Sequence, residues 1–198
     1  MSTETSVLTK SWPRRLFWTP PLVEARHLLE KFLEHVEPIH HVFNTLALPV
    51  MLDRIYSQLD QRHCIKSGEM ILLFSIFASS CRAWTEQDSR ERGLFSNPME
   101  AHYQGAHWIK VAEDLLDIAR RTTHVSIEGV QACIILMFVP EDLEGFWRRC
   151  RSLHNMALLL ARDLSLHCID LPSKAHLASS VQAEIGRRVW WHLVSTDW

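Results

Sequence analysis

Twelve histidines and five cysteines are the side chains of this sequence with the most to offer chemically. Imidazoles and thiolates bind metals or exchange protons near neutral pH when their spacing brings several to one point. Three histidines, His35, His40 and His41, crowd around Pro38. Pro38 breaks the helical register that they would need as metal ligands, and no acid or thiol completes a fourth position. Cys150 and His154 stand four apart, as two ligands on one helix face would. No second pair accompanies them, so a core cysteine beside a flanking histidine is the simpler reading. The cysteines, Cys64, Cys81, Cys133, Cys150 and Cys168, are odd in number and no two are three apart. That spacing suits neither a disulfide framework nor a Cys-x-x-Cys zinc site. They read as reduced thiols of an intracellular protein, packing as small apolar groups. Arg148-Arg149-Cys150-Arg151 is the densest basic spot. It could hold an anion, but a solvated helix face accounts for it more simply.

Other chemistry is missing. The six glycines form no phosphate-binding loop. There is no Gly-x-Ser-x-Gly elbow and no His-Glu-x-x-His. A net charge of −2 argues against a free-standing nucleic-acid binder, which needs a basic face to neutralise phosphates. The longest apolar run, Met70–Cys81, is too short to cross a bilayer, and Met1–Lys10 lacks the apolar core of a signal peptide. We assign no catalytic, cofactor-binding or metal-binding residue.

The elements that must position these side chains all read as helices. A lead-in over 1–20, with Trp12-Pro13, Arg14-Arg15 and Pro20-Pro21, reads as a flexible arm. Leu22, Ala25, Leu29, Phe32, Leu33 and Val36 recur at helical steps, and Pro38 should end that helix. A second helix over 44–60 carries Met51, Leu52, Ile55, Tyr56 and Leu59, with Pro49 in its first turn. Residues 69–86 are apolar nearly all round, as a helix in the middle of a bundle would be. Glu86–Ser96 is charged, contains Gly93, and reads as a loop. Asn97-Pro98-Met99-Glu100 starts a helix that runs to about Arg121, with Trp108, Val111, Leu115 and Ile118 as its inner stripe. Ser126 starts the next helix, which Pro140 stops. Over 142–166, Phe146, Cys150, Leu153, Ala157, Leu160 and Leu164 form one apolar stripe. Ser165 falls where that helix exits, in a left-handed position that favours glycine. After a loop with its turn at Leu171-Pro172-Ser173, a last helix begins near Val181. In it Val181, Ile185, Val189 and His192/Leu193 step along one face, and Trp190, Val194 and Asp197 along another. The chain stops there without a breaker.

Residues 126–198 resemble the fungal-specific transcription factor domain, the middle homology region of fungal zinc binuclear cluster transcription factors. The likeness rests on Trp147, Ala157, Ala161, Leu164, Leu166 and His167, then on Glu184, Arg187, Arg188, Trp190, Trp191 and Asp197. The Arg-Arg-x-Trp-Trp block with its upstream Leu-x-Leu-His is the specific part. Weaker similarity runs back through Leu72, Leu73, Ile76, Ala78 and Trp84, and through Phe32, Val36 and Pro38. Ser165 stands where the family usually has Gly, and Gly186 where a charged or bulky residue is usual.

The resemblance implies an all-α multi-helix domain over 21–198, incomplete at its C-terminus. It implies regulation of transcription in the nucleus, with secondary metabolism as one pathway of that kind. The family's middle region gates activity and receives partner proteins or small effectors. Zinc and DNA contact belong to a six-cysteine basic module, and no such run exists in this sequence. The motif residues are expected to be structural, with arginines paired to acids and tryptophans buried against the 69–84 helix. The abrupt end adds a contrary expectation: Trp190, Trp191, Val194 and Trp198 should leave an apolar patch that binds a partner or a second copy. The alternatives are a truncated protein that binds a full-length regulator, and a gene-model fragment. A helical enzyme or ligand carrier would need a polar cavity with a perturbed acid or histidine, and the sequence offers no candidate pair.

Overall fold

The computed structural model of the chain describes residues 18–121, 126–139, 146–171 and 179–196. Its elements, in order, are α1 (Leu22–His35), α2 (Glu37–His40), α3 (Ala47–Asp60), α4 (Ser67–Arg82), α5 (Glu86–Arg92), α6 (Pro98–Arg121), α7 (Ile127–Met137), α8 (Phe146–Asp163), a 3-10 turn (Leu166–Cys168) and α9 (Val181–Ser195). No strand occurs among the described residues, so the fold is all-α. Most of the expected arm, residues 1–17, lies outside them. Pro20, at its end, accepts a 2.6 Å hydrogen bond from the Tyr56 hydroxyl.

The apolar run in α4 makes that helix the axis of the bundle. Every residue from Ile71 to Cys81 is buried, with α1, α6 and α7 packed around it. Burying a Phe or Leu side chain contributes about 1.5–3 kcal/mol, and α4 does this at Ile71, Leu72, Leu73, Phe74, Ile76 and Phe77. Its serines stay satisfied without leaving the core. Ser75 donates to the Ile71 carbonyl at 2.9 Å, and Ser80 donates to the carbonyls of Ile76 at 2.8 Å and Leu28 at 2.7 Å. The last of these ties α4 to α1. Gly105 lets α6 come close. A side chain there would begin 3.0 Å from the Cys81 β-carbon and 3.4 Å from the Ala78 carbonyl oxygen.

Small residues decide which side of α6 faces in. Ala101, Gly105, Trp108, Ile109, Ala112, Leu116 and Ala119 are buried. The expected stripe is right at Trp108, whereas Val111, Leu115 and Ile118 are only half-buried. Hydropathy favoured the large residues, and the close α4 contact selects the small ones. Trp108 packs on Phe77 with ring centroids 5.2 Å apart. Asn97 caps α6, its side chain accepting from the Glu100 amide at 2.9 Å.

Two expectations fail at helix boundaries. Pro38 does not end the first helix: α1 stops at His35, and Pro38 lies in the first turn of the one-turn α2, where its missing N–H costs no hydrogen bond. The stretch expected as a loop contains α5. Thr85 and Asp88 form a capping box, the Thr85 amide donating to Asp88 at 2.8 Å, and Gly93 closes the helix at φ 64°. Helix α5 then clamps α1. Lys31 and Asp88 form a buried ion pair at 2.6 Å, and Arg92 reaches Glu30 at 3.0 Å and Glu34 at 2.8 Å. Burial pushes the Asp88 carboxyl up, but hydrogen bonds from Lys31 and Thr85 outweigh it and hold the group below the usual carboxylate range.

Candidate functional site

Helix α9 begins at Ser180, whose hydroxyl accepts from the Ala183 amide at 3.1 Å. Its inner face is Ala183, Gly186, Val189 and Leu193. This face lies against α7, α8 and the 3-10 turn. Gly186 makes that approach feasible: a β-carbon there would meet the Ile169 Cδ1 at 2.4 Å and the Leu166 Cδ2 at 3.4 Å. The turn is itself set by Ser165, which takes φ 56° and ψ 33°. A side chain in this left-handed region is mildly strained, as the exit position led us to expect.

The arginines point to acids. Arg187 donates to Asp170 at 2.7 Å and to Glu184 at 2.9 Å, while Arg188 donates to Glu184 at 2.9 Å. Hydrogen bonds from Arg188 and Arg187 hold Glu184 below the usual carboxylate range, and Asp170 and Glu184 push Arg187 up in turn. Asp170, Glu184 and Arg188 are about half exposed and Arg187 only part-buried, so the network orients the loop at Asp170 more than it stabilises the fold.

The tryptophans behave differently from one another. Trp190 is half-buried and tilts over the His167 ring, centroids 5.6 Å apart. Trp191 is 63% exposed and Val194 41%. The expectation that both tryptophans bury against the 69–84 helix is therefore wrong. Helix α9 rests on α7 and α8, and Trp191 points away from them. The exposed patch exists but is smaller than expected, because Trp190 contributes only in part. Asp197 and Trp198 lie outside the described residues. Trp147, the motif tryptophan of α8, is 74% exposed and far from forming a core. Trp190 and His167 are thus the motif residues that meet ring to ring, and Glu184, Arg187 and Arg188 those that meet through charge.

Among the residues first weighed as ligands, geometry gives structural roles. The Cys150 thiol donates to the Met137 carbonyl at 3.0 Å. His154 is buried and bonds through Nε2 to the Leu193 carbonyl at 3.0 Å, fastening α8 to α9. Burial pushes the Cys133 thiol up to about 12 and the Cys81 thiol higher still, which removes both as nucleophiles. The basic run is not simply a solvated face. Arg149 turns inward, donating to Glu113 at 2.7 Å and to the carbonyls of Leu136 at 3.1 Å and Val139 at 2.8 Å. Arg148 and Arg151 remain exposed. No three metal-ligating side chains come together among the described residues. No helix among them is long and apolar enough to cross a membrane.

Two features escaped sequence reasoning. His40, from the cluster around Pro38, meets His192 of α9, with ring centroids 5.5 Å apart. A separation of 152 positions in the chain leaves no local signal for such a contact. A cleft of about 530 Å³ also opens between α3, α7 and α9, lined by Phe43, Met51, Leu72, Ile127, Val181 and Ile185.

Comparison with known proteins points one way. The family model described as the fungal specific transcription factor domain matches residues 29–198. The chain is 41% identical over 187 residues to the probable transcription factor lepB of Aspergillus flavus, covering 91% of this chain and 33% of that protein. It is 27% identical over 186 residues to the transcription factor TAS2 of Pyricularia oryzae, covering 91% of this chain and 24% of that one. It is 30% identical over 184 residues to the agnestins biosynthesis cluster transcription factor AgnL11 of Paecilomyces divaricatus, covering 90% and 26%. The chain thus spans a quarter to a third of the length of these relatives. No solved structure matches.

Proposed function

Because this chain belongs to the fungal specific transcription factor domain family, we propose that it is the regulatory, non-DNA-contacting part of a nuclear, pathway-specific transcription regulator, and that the outer face of α9 meets a protein partner. The family is one of transcription factors and not of enzymes. A relative named for the agnestins biosynthesis cluster supports a role over a secondary-metabolism gene set. The net charge of −2 supports the separation from DNA, since phosphate contact requires a basic face.

The observation that carries the partner reading is Trp191. A tryptophan left 63% exposed beside Val194 is the kind of rigid aromatic that anchors interfaces. Light scattering behind size exclusion tests it, on the chain alone and mixed with a full-length relative. Association with itself or with that relative is expected, and Trp191→Ser with Val194→Ser should weaken it. A monomer at every concentration that also fails to co-elute would refute the partner reading. Tight binding to random or promoter DNA in a mobility-shift assay would refute the non-DNA reading.

A small effector is a second reading, favoured by the cleft between α3, α7 and α9. Its volume, about 530 Å³, lies in the range that holds a drug-sized molecule. Apolar dyes should compete for it, and Met51→Trp should exclude them. Dye binding unaffected by that substitution would count against the cleft.

A further inference from the structure

Three rings close a triangle where α2, the end of α7 and α9 meet. His40 lies 5.0 Å from Phe138 and 5.5 Å from His192, and Phe138 lies 6.1 Å from His192. His40 is 6% exposed. The Nδ1 of His40 and the Nε2 of His192 are both buried with no hydrogen-bond partner. One residue along α9, His154 holds the Leu193 carbonyl. Because a carbonyl only accepts, Nε2 of His154 carries the hydrogen.

The surroundings of this triangle disfavour positive charge. The groups that act on His40 are His192 and His41, and the group that acts on His192 is His154. Phe138 brings no charge from α7. Glu37, buried on the same turn as His40, forms no ion pair with it. With no third ligand assembled among the described residues, the cluster is suited to a proton and not to a metal.

We propose that His40 is a proton-operated latch on α9: while it is neutral its ring packs under His192 and α9 lies on the body of the domain, and its protonation releases the helix. An imidazolium on the buried His40 would be a buried charge with no ion-pair partner, and α9 must swing away before it meets water. The release would bare Val189 and Leu193, which are fully buried while the latch holds. Burial, then His192, then His41 lower His40 from its ordinary 6.5 to about 4, and burial and then His154 lower His192. The sign follows. A histidine whose folded value is depressed contributes its full stabilisation above about pH 6.5, and loses it as pH falls from there toward about 4.

Amide hydrogen exchange tests the latch. After correction for intrinsic chemistry, the opening of α9 should rise roughly thirtyfold between pH 8 and pH 5, from His40 alone. Amides of Ile71–Cys81 should not follow. The doubly substituted His40→Phe, His192→Leu protein should keep α9 protected at both values. Unchanged α9 protection at pH 5 overturns the latch, and so does an equal loss in the substituted protein. If that variant fails to fold, imidazole NMR on the unaltered chain decides. His40 should titrate far below the exposed histidines, and an ordinary value with α9 in place overturns the proposal.

Discussion

Helices α4 and α9 are nearly equal in length, 16 and 15 residues, yet they are held by different physics. Helix α4 is buried from Ile71 to Cys81, and its polar groups bond to carbonyls inside the core. Helix α9 buries a narrow stripe of Ala183, Gly186, Val189 and Leu193. The rest of its attachment comes from surface ion pairs, one histidine-to-carbonyl bond and the packing of His192 on the His40 ring. Apolar burial does not titrate and is not screened by salt, whereas these polar terms respond to pH or to screening. The contrast teaches that the segment most diagnostic of the family is not the one that stabilises the domain.

The contrast breaks most readily at Phe77. Its ring is fully buried against Phe74 and Trp108, so Phe77→Ala should cost about 3–5 kcal/mol in urea denaturation. A loss under about 1 kcal/mol would mean that α4 is not the axis of the fold.

Charge sharpens it next. The Lys31–Asp88 pair is almost fully buried, so Lys31→Ala, which leaves the carboxylate only Thr85 and a 3.5 Å contact with Arg92, should cost about 3 kcal/mol. Adding Asp88→Leu should recover only part of that, because it also removes the α5 capping box. Because the Asp88 value is depressed in the folded state, its contribution is complete above about pH 4. It is lost as pH falls through the folded value, so acid titration should erase the difference between the two proteins.

In α9 the apolar stripe should be the largest stabilising term. Leu193 is fully buried, and Leu193→Ala should cost about 2–5 kcal/mol. The loss should show first as exchange of the α9 amides, with α4 following only in global unfolding. Simultaneous loss of protection in both helices would show that α9 does not open by itself.

The smallest effect belongs to the family's charged block. Glu184→Gln removes the charge and one of the two oxygens that accept from Arg187 and Arg188, yet Glu184 and Arg188 are about half exposed. The melting temperature should hardly change, and any difference should vanish in molar salt. A large, salt-independent loss would place a buried term in this block and reverse the comparison.

Much of this architecture was legible before any coordinates. Apolar periodicity marks most of the long helices, because burial on one side of a 3.6-residue turn demands it. Asn97 and Ser126 occupy the helix starts expected of them, since their short oxygens reach the free amides of a first turn. Ser165 stands where the helix exit requires φ above zero. These are local demands, set within a few residues of chain. The seven polar residues of α5 carry no apolar stripe and read as a loop; the Thr85–Asp88 capping box was the local signal that could have marked them.

What remained open depended on neighbours distant in the chain. Gly105, Ala112 and Ala119 face inward because α4 comes close, which no pattern within α6 announces. Trp191 is exposed and Trp190 half-buried because α9 lies on α7 and α8 and not on α4. The meeting of His40 with His192 is of the same kind. Periodicity shows that a side chain needs cover, whereas only packing in three dimensions decides what covers it and whether a proton can follow.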